Sequence, residues 1–300
     1  MTDLIVIGAG PAGLTAALYA TRAGASAIVL DGGAPGGKLN LTAEIENYPG
    51  VIQKGPELAY SMYEQCLSFG AQYEYGEVTQ IEDKGDHKIV HAGEKTYEAQ
   101  YVFIATGTKE RHMGIPGEEE MSGRGVSYCA VCDGPFFKNK TVCVVGGGNS
   151  AIEESIYLSD IVEKVHVIVR RDVLRADQYL ISKLNQKDNI EMHYLKKPVS
   201  IEVTDHKVSG LVVADSKSGE LSTIPTNGIF PFIGLDPMSG FVKDLGIVNE
   251  QGYIEVDENQ ETSVKGIFAG GDVTAKHLRQ VVTATNDGAI AGQYIASLLK

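Results

Sequence analysis

Twice in this chain a short apolar run breaks into glycines and then resumes as a helix-like stretch, and this repeat restricts the fold more than any other feature. Leu4-Ile5-Val6-Ile7 leads into Gly8-Ala9-Gly10-Pro11-Ala12-Gly13 and then into Leu14 to Ala20. Thr141 to Val145 leads into Gly146-Gly147-Gly148-Asn149-Ser150-Ala151 and then into Ile152 to Leu158, with Ala151 where the third glycine would stand. In such a strand–turn–helix unit the first glycine allows the bend, the second admits a pyrophosphate close to the backbone, and the third lets helix and strand pack closely. The helix N-terminus then offers its unpaired N–H groups to the phosphates. The plain alternative is a tight turn that binds nothing.

The second strand of each fingerprint separates the two. The strand Ala27 to Leu30 ends in Asp31, an acid suited to a ribose hydroxyl pair, as in FAD. Val165 to Val169 ends in Arg170-Arg171, with Arg175 one helical turn on. Arginines there suit a ribose 2′-phosphate, which an acid would repel, and so point to NADPH. Read as scaffold only, they are a surface cluster paired with nearby acids. The loop Gly32 to Leu39 and the stretch Glu44 to Gly50 have the open backbone that lies against a flat ligand, and Asp272, after the strand-like Gly266 to Gly271, is placed to accept from a ribityl or phosphate-linked hydroxyl.

Chemistry enters with Cys129-Ala130-Val131-Cys132-Asp133-Gly134. Two cysteines at this spacing can close a small ring and so hold two electrons as a disulfide or release them as a dithiol. A four-thiolate zinc site needs a second pair at ligand spacing, and neither Cys66 nor Cys143 has a cysteine or histidine nearby in sequence. Both sit in apolar settings as small hydrophobes. Asp133 suits proton transfer to or from a thiolate, or else is a turn residue before Gly134-Pro135. His87, His91 and His112 have no ligand-like partners and read as surface or core residues.

A formal charge of −13 over 300 residues argues against nucleic acid or an anionic membrane as the main partner. The chain enters a strand directly after Met1-Thr2-Asp3, without the charged and apolar regions of an export signal. No run approaches the roughly eighteen apolar residues of a membrane span. The expected setting is soluble and reducing, the cytoplasm. Predicted elements include helices over Pro56 to Phe69 and Asn286 to Leu299, and strands within Val78 to Ala92, Thr96 to Ile104, Val199 to Val203, Val208 to Ala214 and Gly228 to Ile233, where Pro231 argues for an edge or a bulge. Domain crossings are expected near Gly114 to Glu120 and near Asp236-Pro237.

With both fingerprints and the cysteine pair in place, nearly the whole chain resembles the low-molecular-weight thioredoxin reductases of bacteria. The resemblance rests on Gly8 to Gly13, Glu44 to Gly50, Ala105-Thr106-Gly107, Cys129 to Gly134, Gly146 to Ala151, Arg170-Arg171 with Arg175, and Gly271-Asp272 with Arg279-Gln280. The cysteines' place just before the second fingerprint is the most telling, since larger disulfide reductases carry theirs near the first. It implies an α/β fold of two Rossmann-like dinucleotide-binding domains of three-layer ββα type, the second inserted in the first. Residues 1–113 and 241–300 would bind FAD, and residues 114–240 would bind NADPH and carry the cysteines.

The implied FAD contacts are Gly8, Gly10, Pro11, Ala12 and Gly13, then Asp31, Gly32, Gly36, Gly37, Lys38, Asn47 and Val78, then Ala105, Thr106, Gly107, Gly271, Asp272, Arg279, Gln280 and Val281. The implied NADPH contacts are Gly146, Gly148, Asn149, Ser150, Arg170, Arg171 and Arg175. Hydride would pass from NADPH to flavin and electrons from flavin to the disulfide, with Cys132 facing the flavin, Cys129 attacking oxidised thioredoxin and Asp133 moving protons. The resemblance also implies a homodimer and rotation of the inserted domain about hinges near Gly114–Gly117 and Gly234–Gly240. Three positions depart from the family's habit: Lys38 where glutamine is common, Val169 where histidine is common, and Pro231. Residue types leave three other readings open: a ferredoxin-fed relative, a dithiol oxidase of the same fold, and a non-enzymatic redox sensor.

Overall fold

Leu4 and Val6 face one way along the first strand and Ile5 and Ile7 the other, and all four are buried. Side chains alternate along a strand, so this strand has a core on each face. It is Thr2–Ile7, and it lies between two parallel neighbours, Ala27–Asp31 and Lys95–Ile104. In the computed structural model, which describes residues 1–42 and 44–299, Gln72–Tyr75 extends this sheet beyond Ala27–Asp31. The long strand Lys95–Ile104 changes partners midway. Its first half pairs antiparallel with Lys88–Ala92, which pairs in turn with Val78–Asp83, while its second half takes Ile267–Ala269 in parallel.

Three layers result. On one face the helices Pro11–Arg22 and Val281–Leu298 cover Leu4, Val6, Phe103 and Phe268. On the other, Ile81 and Val90 of the antiparallel strands cluster with Ile5, Ile7 and Ile104. The two helices approach at small residues. A Cβ on Gly288 would stand 2.2 Å from the Ala12 carbonyl oxygen, and one on Gly292 would stand 2.4 Å from that of Ala16. The last helix starts at Val281 and not at Asn286. Val281-Val282-Thr283 is β-branched and weak in helix propensity, but a reciprocal capping box between Gln280 and Thr283 fixes the start there.

The chain forms two units, Met1–Lys109 with Asp236–Lys300, and Glu110–Leu235. In the second unit, Ile190–Tyr194, Lys164–Val169, Thr141–Val145 and Gly228–Pro231 form a parallel sheet in that order. Pro231 therefore lies in an end strand, where its missing N–H costs no ladder bond. A separate antiparallel sheet joins Lys196–Thr204, Lys207–Asp215 and Leu221–Pro225. The short strands at the two crossings, Thr108–Glu110 and Leu235–Pro237, pair with each other.

Gly288→Ala gains about 1 kcal/mol of helix propensity, but its methyl has no room against the first helix. The expected net result is destabilisation by about 1–3 kcal/mol, read as a lower urea midpoint. An unchanged or raised midpoint would show that the two helices separate without cost.

Candidate active site

The first glycine cradle is built by contacts that only glycine permits. Gly8 has φ +105°, and a Cβ there would stand 2.3 Å from the Ala105 carbonyl oxygen. A Cβ on Gly13 would stand 1.9 Å from the Gly8 oxygen, so helix and strand meet main chain to main chain. Gly10, at the helix N-cap, has nothing within 4 Å of its would-be Cβ. That open space beside the first N–H groups of a 12-residue helix is what a pyrophosphate needs.

Of the other first-unit residues singled out in the sequence, Asp31, Gly36, Gly37, Ala105 and Gly271 meet this cradle directly. Asp31 accepts from the N–H of Ala9 at 2.6 Å and from that of Gly33 at 2.7 Å, so its carboxylate holds two glycine loops together. Gly36 donates its N–H to the Ala9 oxygen at 2.7 Å, and a Cβ on Gly37 would lie 3.3 Å from Gly10 Cα. Gly32 is exposed on the same loop. Ala105 donates to the Ile7 oxygen at 2.7 Å, the Thr106 hydroxyl donates to the Met238 oxygen at 2.6 Å, and Gly107 turns at φ +69°. Asn47 donates to the Gln280 side chain at 2.9 Å, and Val281 begins the closing helix. Val78 opens the strand Val78–Asp83 and packs among the residues around Ile5 and Ile7.

Gly271 follows the strand Ile267–Ala269 at φ +77°, and a Cβ there would lie 3.0 Å from Ala12 Cβ. Burial pushes the Asp272 carboxyl up, against the pull of Lys38, Lys276 and Arg279 gathered near it. Arg279 donates to the carbonyl oxygens of Asp272 and Thr274 and lies over the Tyr253 ring at 4.2 Å. Lys276 and Asp287 were not legible in the sequence. Asp287 is buried, accepts from the Gly271 N–H at 2.8 Å and pairs with Lys276.

The second cradle repeats the logic. A Cβ on Gly146 would stand 2.3 Å from the Phe232 oxygen, while Gly148, at the N-cap of Asn149–Ser159, opens onto empty space. Asn149 exchanges two hydrogen bonds with Asp177, and Ser150 is exposed beside it. The Arg175 N–H donates to the Gly147 oxygen at 2.7 Å, latching the arginine loop to the cradle. Arg170, Arg171 and Arg175 are exposed, and among the described residues none of their guanidinium groups is in an ion pair. Three such cations beside an open helix N-terminus fit a phosphate-bearing ligand.

Cys129 and Cys132 are joined as a disulfide, with Cα atoms 5.3 Å apart. Cys129 is half-buried at the N-cap of the short helix Ala130–Asp133, and its sulfur accepts from the Cys132 N–H at 3.1 Å. Cys132 is exposed and Asp133 half-buried. The other two thiols are inert, since burial pushes both Cys66 and Cys143 up to about 12 and leaves almost no thiolate at neutral pH.

Gly114 to Glu120 has the composition of a linker and lies in the second unit, close to its start at Glu110, and the buried Glu118 organises it. Its carboxylate accepts from the N–H groups of Met113 at 2.8 Å and Gly114 at 2.6 Å, and from the Tyr128 hydroxyl at 2.6 Å. Burial works to raise this carboxyl, but the donors outweigh it and hold it below its ordinary value. Tyr128 in turn stacks on His112 and precedes Cys129. His87 and His91 each pair with one carboxylate, Asp86 and Glu82 respectively.

A family model described as pyridine nucleotide-disulphide oxidoreductase matches residues 2–288. The thioredoxin reductase of Bacillus subtilis is 47% identical over 294 residues, covering 98% of this chain and 93% of that protein. Among solved structures, the Lactococcus lactis thioredoxin reductase in its FR conformation superposes with TM-score 0.98 at 43% identity, over 100% of this chain and 99% of that one. The T. acidophilum thioredoxin reductase superposes with TM-score 0.95 at 36% identity, over 99% and 98%.

Glu118→Gln should cost about 1–3 kcal/mol, the price of a buried donor left facing an amide. Because the folded carboxyl lies below 4.5, its contribution is full above that value and is lost as pH falls through the folded one. The stability gap between wild type and variant, measured by urea unfolding, should therefore narrow below pH 4.5. A gap independent of pH would remove the charge from the account.

Proposed function

The chain belongs to the pyridine nucleotide-disulphide oxidoreductase family, among the low-molecular-weight thioredoxin reductases, and from this we propose that it uses NADPH, through FAD and the Cys129–Cys132 pair, to reduce oxidised thioredoxin. The observation that carries the reading is the closed cysteine ring lying in the unit with the arginine-flanked cradle. Gly10 and Gly148 each open onto space at a helix N-terminus, so the residues present fit two dinucleotides. Asp31 suits the ribose hydroxyls of FAD in the first, and Arg170, Arg171 and Arg175 suit the 2′-phosphate of NADPH in the second. A flavin held by the first cradle would supply two-electron chemistry, linking hydride from a reduced nicotinamide to the opening of a disulfide.

The chain's own residues carry the rest. Two electrons and two protons open the ring to a dithiol, with Cys132, the exposed sulfur, receiving the electrons. Asp133, directly after Cys132, is assigned the proton transfers. The N–H that Cys132 aims at the Cys129 sulfur favours the thiolate on Cys129, which makes Cys129 the nucleophile. Its attack on thioredoxin forms a mixed disulfide and releases one thioredoxin thiolate. Cys132 then attacks the Cys129 sulfur, which closes the ring and frees the second thiolate. The reading includes a cytoplasmic homodimer, the latter read directly by light scattering of the purified protein.

In anaerobic stopped flow, NADPH should bleach the flavin absorbance rapidly and oxidised thioredoxin should restore it. Cys132→Ser should keep the bleaching and lose thioredoxin reduction, and loss of both steps together would contradict this order of transfer. Replacing Arg170 and Arg171 with alanine should cut kcat/KM for NADPH by well over about tenfold, since each charge-assisted contact is worth about 1.5–3 kcal/mol, while sparing NADH. Equal kcat/KM for the two nucleotides in the wild type would rule out the 2′-phosphate assignment.

A further inference from the structure

Away from both cradles and the cysteine ring, one cluster of metal-ligating side chains stands among the described residues. His166 lies in the strand Lys164–Val169, and Glu191 and His193 lie in its parallel neighbour Ile190–Tyr194, at the end of the sheet. The register sets His166 opposite Glu191, with His193 two positions on. A period of two puts all three side chains on one face. The structure assigns to His166, Glu191 and His193 a binding site for one divalent first-row transition metal ion of the zinc class, with water completing the coordination.

Geometry carries this. His166 Nδ1 lies 2.8 Å from His193 Nε2, His193 Nε2 lies 3.4 Å from Glu191 Oε1, and His166 Nδ1 lies 3.8 Å from Glu191 Oε2. Around a tetrahedral zinc with bonds of about 2.0–2.1 Å, neighbouring ligand atoms stand about 3.3 Å apart, and the three separations bracket that spacing. Two imidazole nitrogens with one carboxylate form a donor set that zinc favours. The strand ladder fixes the spacing of the three residues, and His166 is nearly buried, so little ordering remains to be done on binding.

Protonation is compatible. Burial holds both histidines below their ordinary range, with Lys164 adding to the effect on each and Lys196 on His193, against the opposing pull of Glu191. Neutral imidazoles need shed no proton to bind at neutral pH. Lys164 keeps the Glu191 carboxyl low and pairs with it at 2.5 Å. Both partners of that pair are more than two-fifths exposed, and an exposed ion pair of this kind yields readily to a stronger cation. The simpler arrangement is a histidine pair sharing one proton, and the experiment separates the two.

Zinc chloride should be titrated calorimetrically into the chelator-treated, oxidised protein at pH 7, where the disulfide keeps Cys129 and Cys132 from binding metal. The expected result is one equivalent per chain, with affinity reduced by more than about tenfold in His193→Gln and in Glu191→Gln. Zinc should also raise the Tm of the wild type and leave that of both variants unmoved. Glu191 is exposed, so Glu191→Gln tests the site even if the histidine variant folds poorly. No binding at one equivalent, or binding that both variants retain, would overturn the assignment and leave a hydrogen-bonded histidine pair. None of these residues serves in the redox reading, so the two stand or fall separately.

Discussion

Main chain pressed against main chain is the contact on which the first unit depends. Gly13 meets the Gly8 carbonyl, Gly8 meets the Ala105 carbonyl, and Gly288 and Gly292 meet the first helix, each at a separation that excludes a methyl group. Every such contact gains little by itself, but close packing along two helices adds up. Its chief effect is positional. The helix Pro11–Arg22 is held deep enough that its first N–H groups open onto the mouth of the parallel strands. In the second unit Gly146 against the Phe232 carbonyl does the same for Asn149–Ser159. A helix terminus attracts an anion only over its last turn, so the depth of the helix and the position of the phosphate site are one variable.

This explains why the cradles were legible in the sequence. Glycine spacing, a preceding apolar run and a following helix are local signals, and the cysteine ring is more local still. The parallel strands were legible for the same reason, as runs of Val and Ile bounded by turn residues. What escaped was set by long-range pairing. Glu118 stands in a run with the Pro, Gly and charge of a linker, and its burial is explained only when the Tyr128 hydroxyl joins the Met113 and Gly114 N–H groups on its carboxylate. Leu221–Pro225 joined a sheet on the strength of its register with Lys207–Asp215. Asp287 meets the Gly271 N–H because the last helix folds back, and His166 meets His193 because two strands align.

The four cysteines illustrate how environment divides one residue type into two kinds. Cys66 and Cys143 are enclosed by apolar neighbours that disfavour the thiolate. Cys129 has an N–H directed at its sulfur, and Cys132 stands exposed. Spacing in the sequence picks out the second pair, and burial explains the silence of the first. The same contrast separates Glu118, buried and satisfied by three donors, from the exposed carboxylates that account for most of the negative charge.

The first unit is made from two stretches separated by the second unit, and the helix that seals it comes from the later stretch. During synthesis the strands Thr2–Ile7 and Ala27–Asp31 leave the ribosome long before Val281–Leu298 exists to cover Ala12 and Ala16. The second unit is continuous from Glu110 to Leu235 and has all its parts earlier. The usual order, in which the N-terminal domain matures first, is therefore reversed by topology. The nascent chain therefore carries an unsealed helix face at Ala12 and Ala16 until Val281–Leu298 has been made.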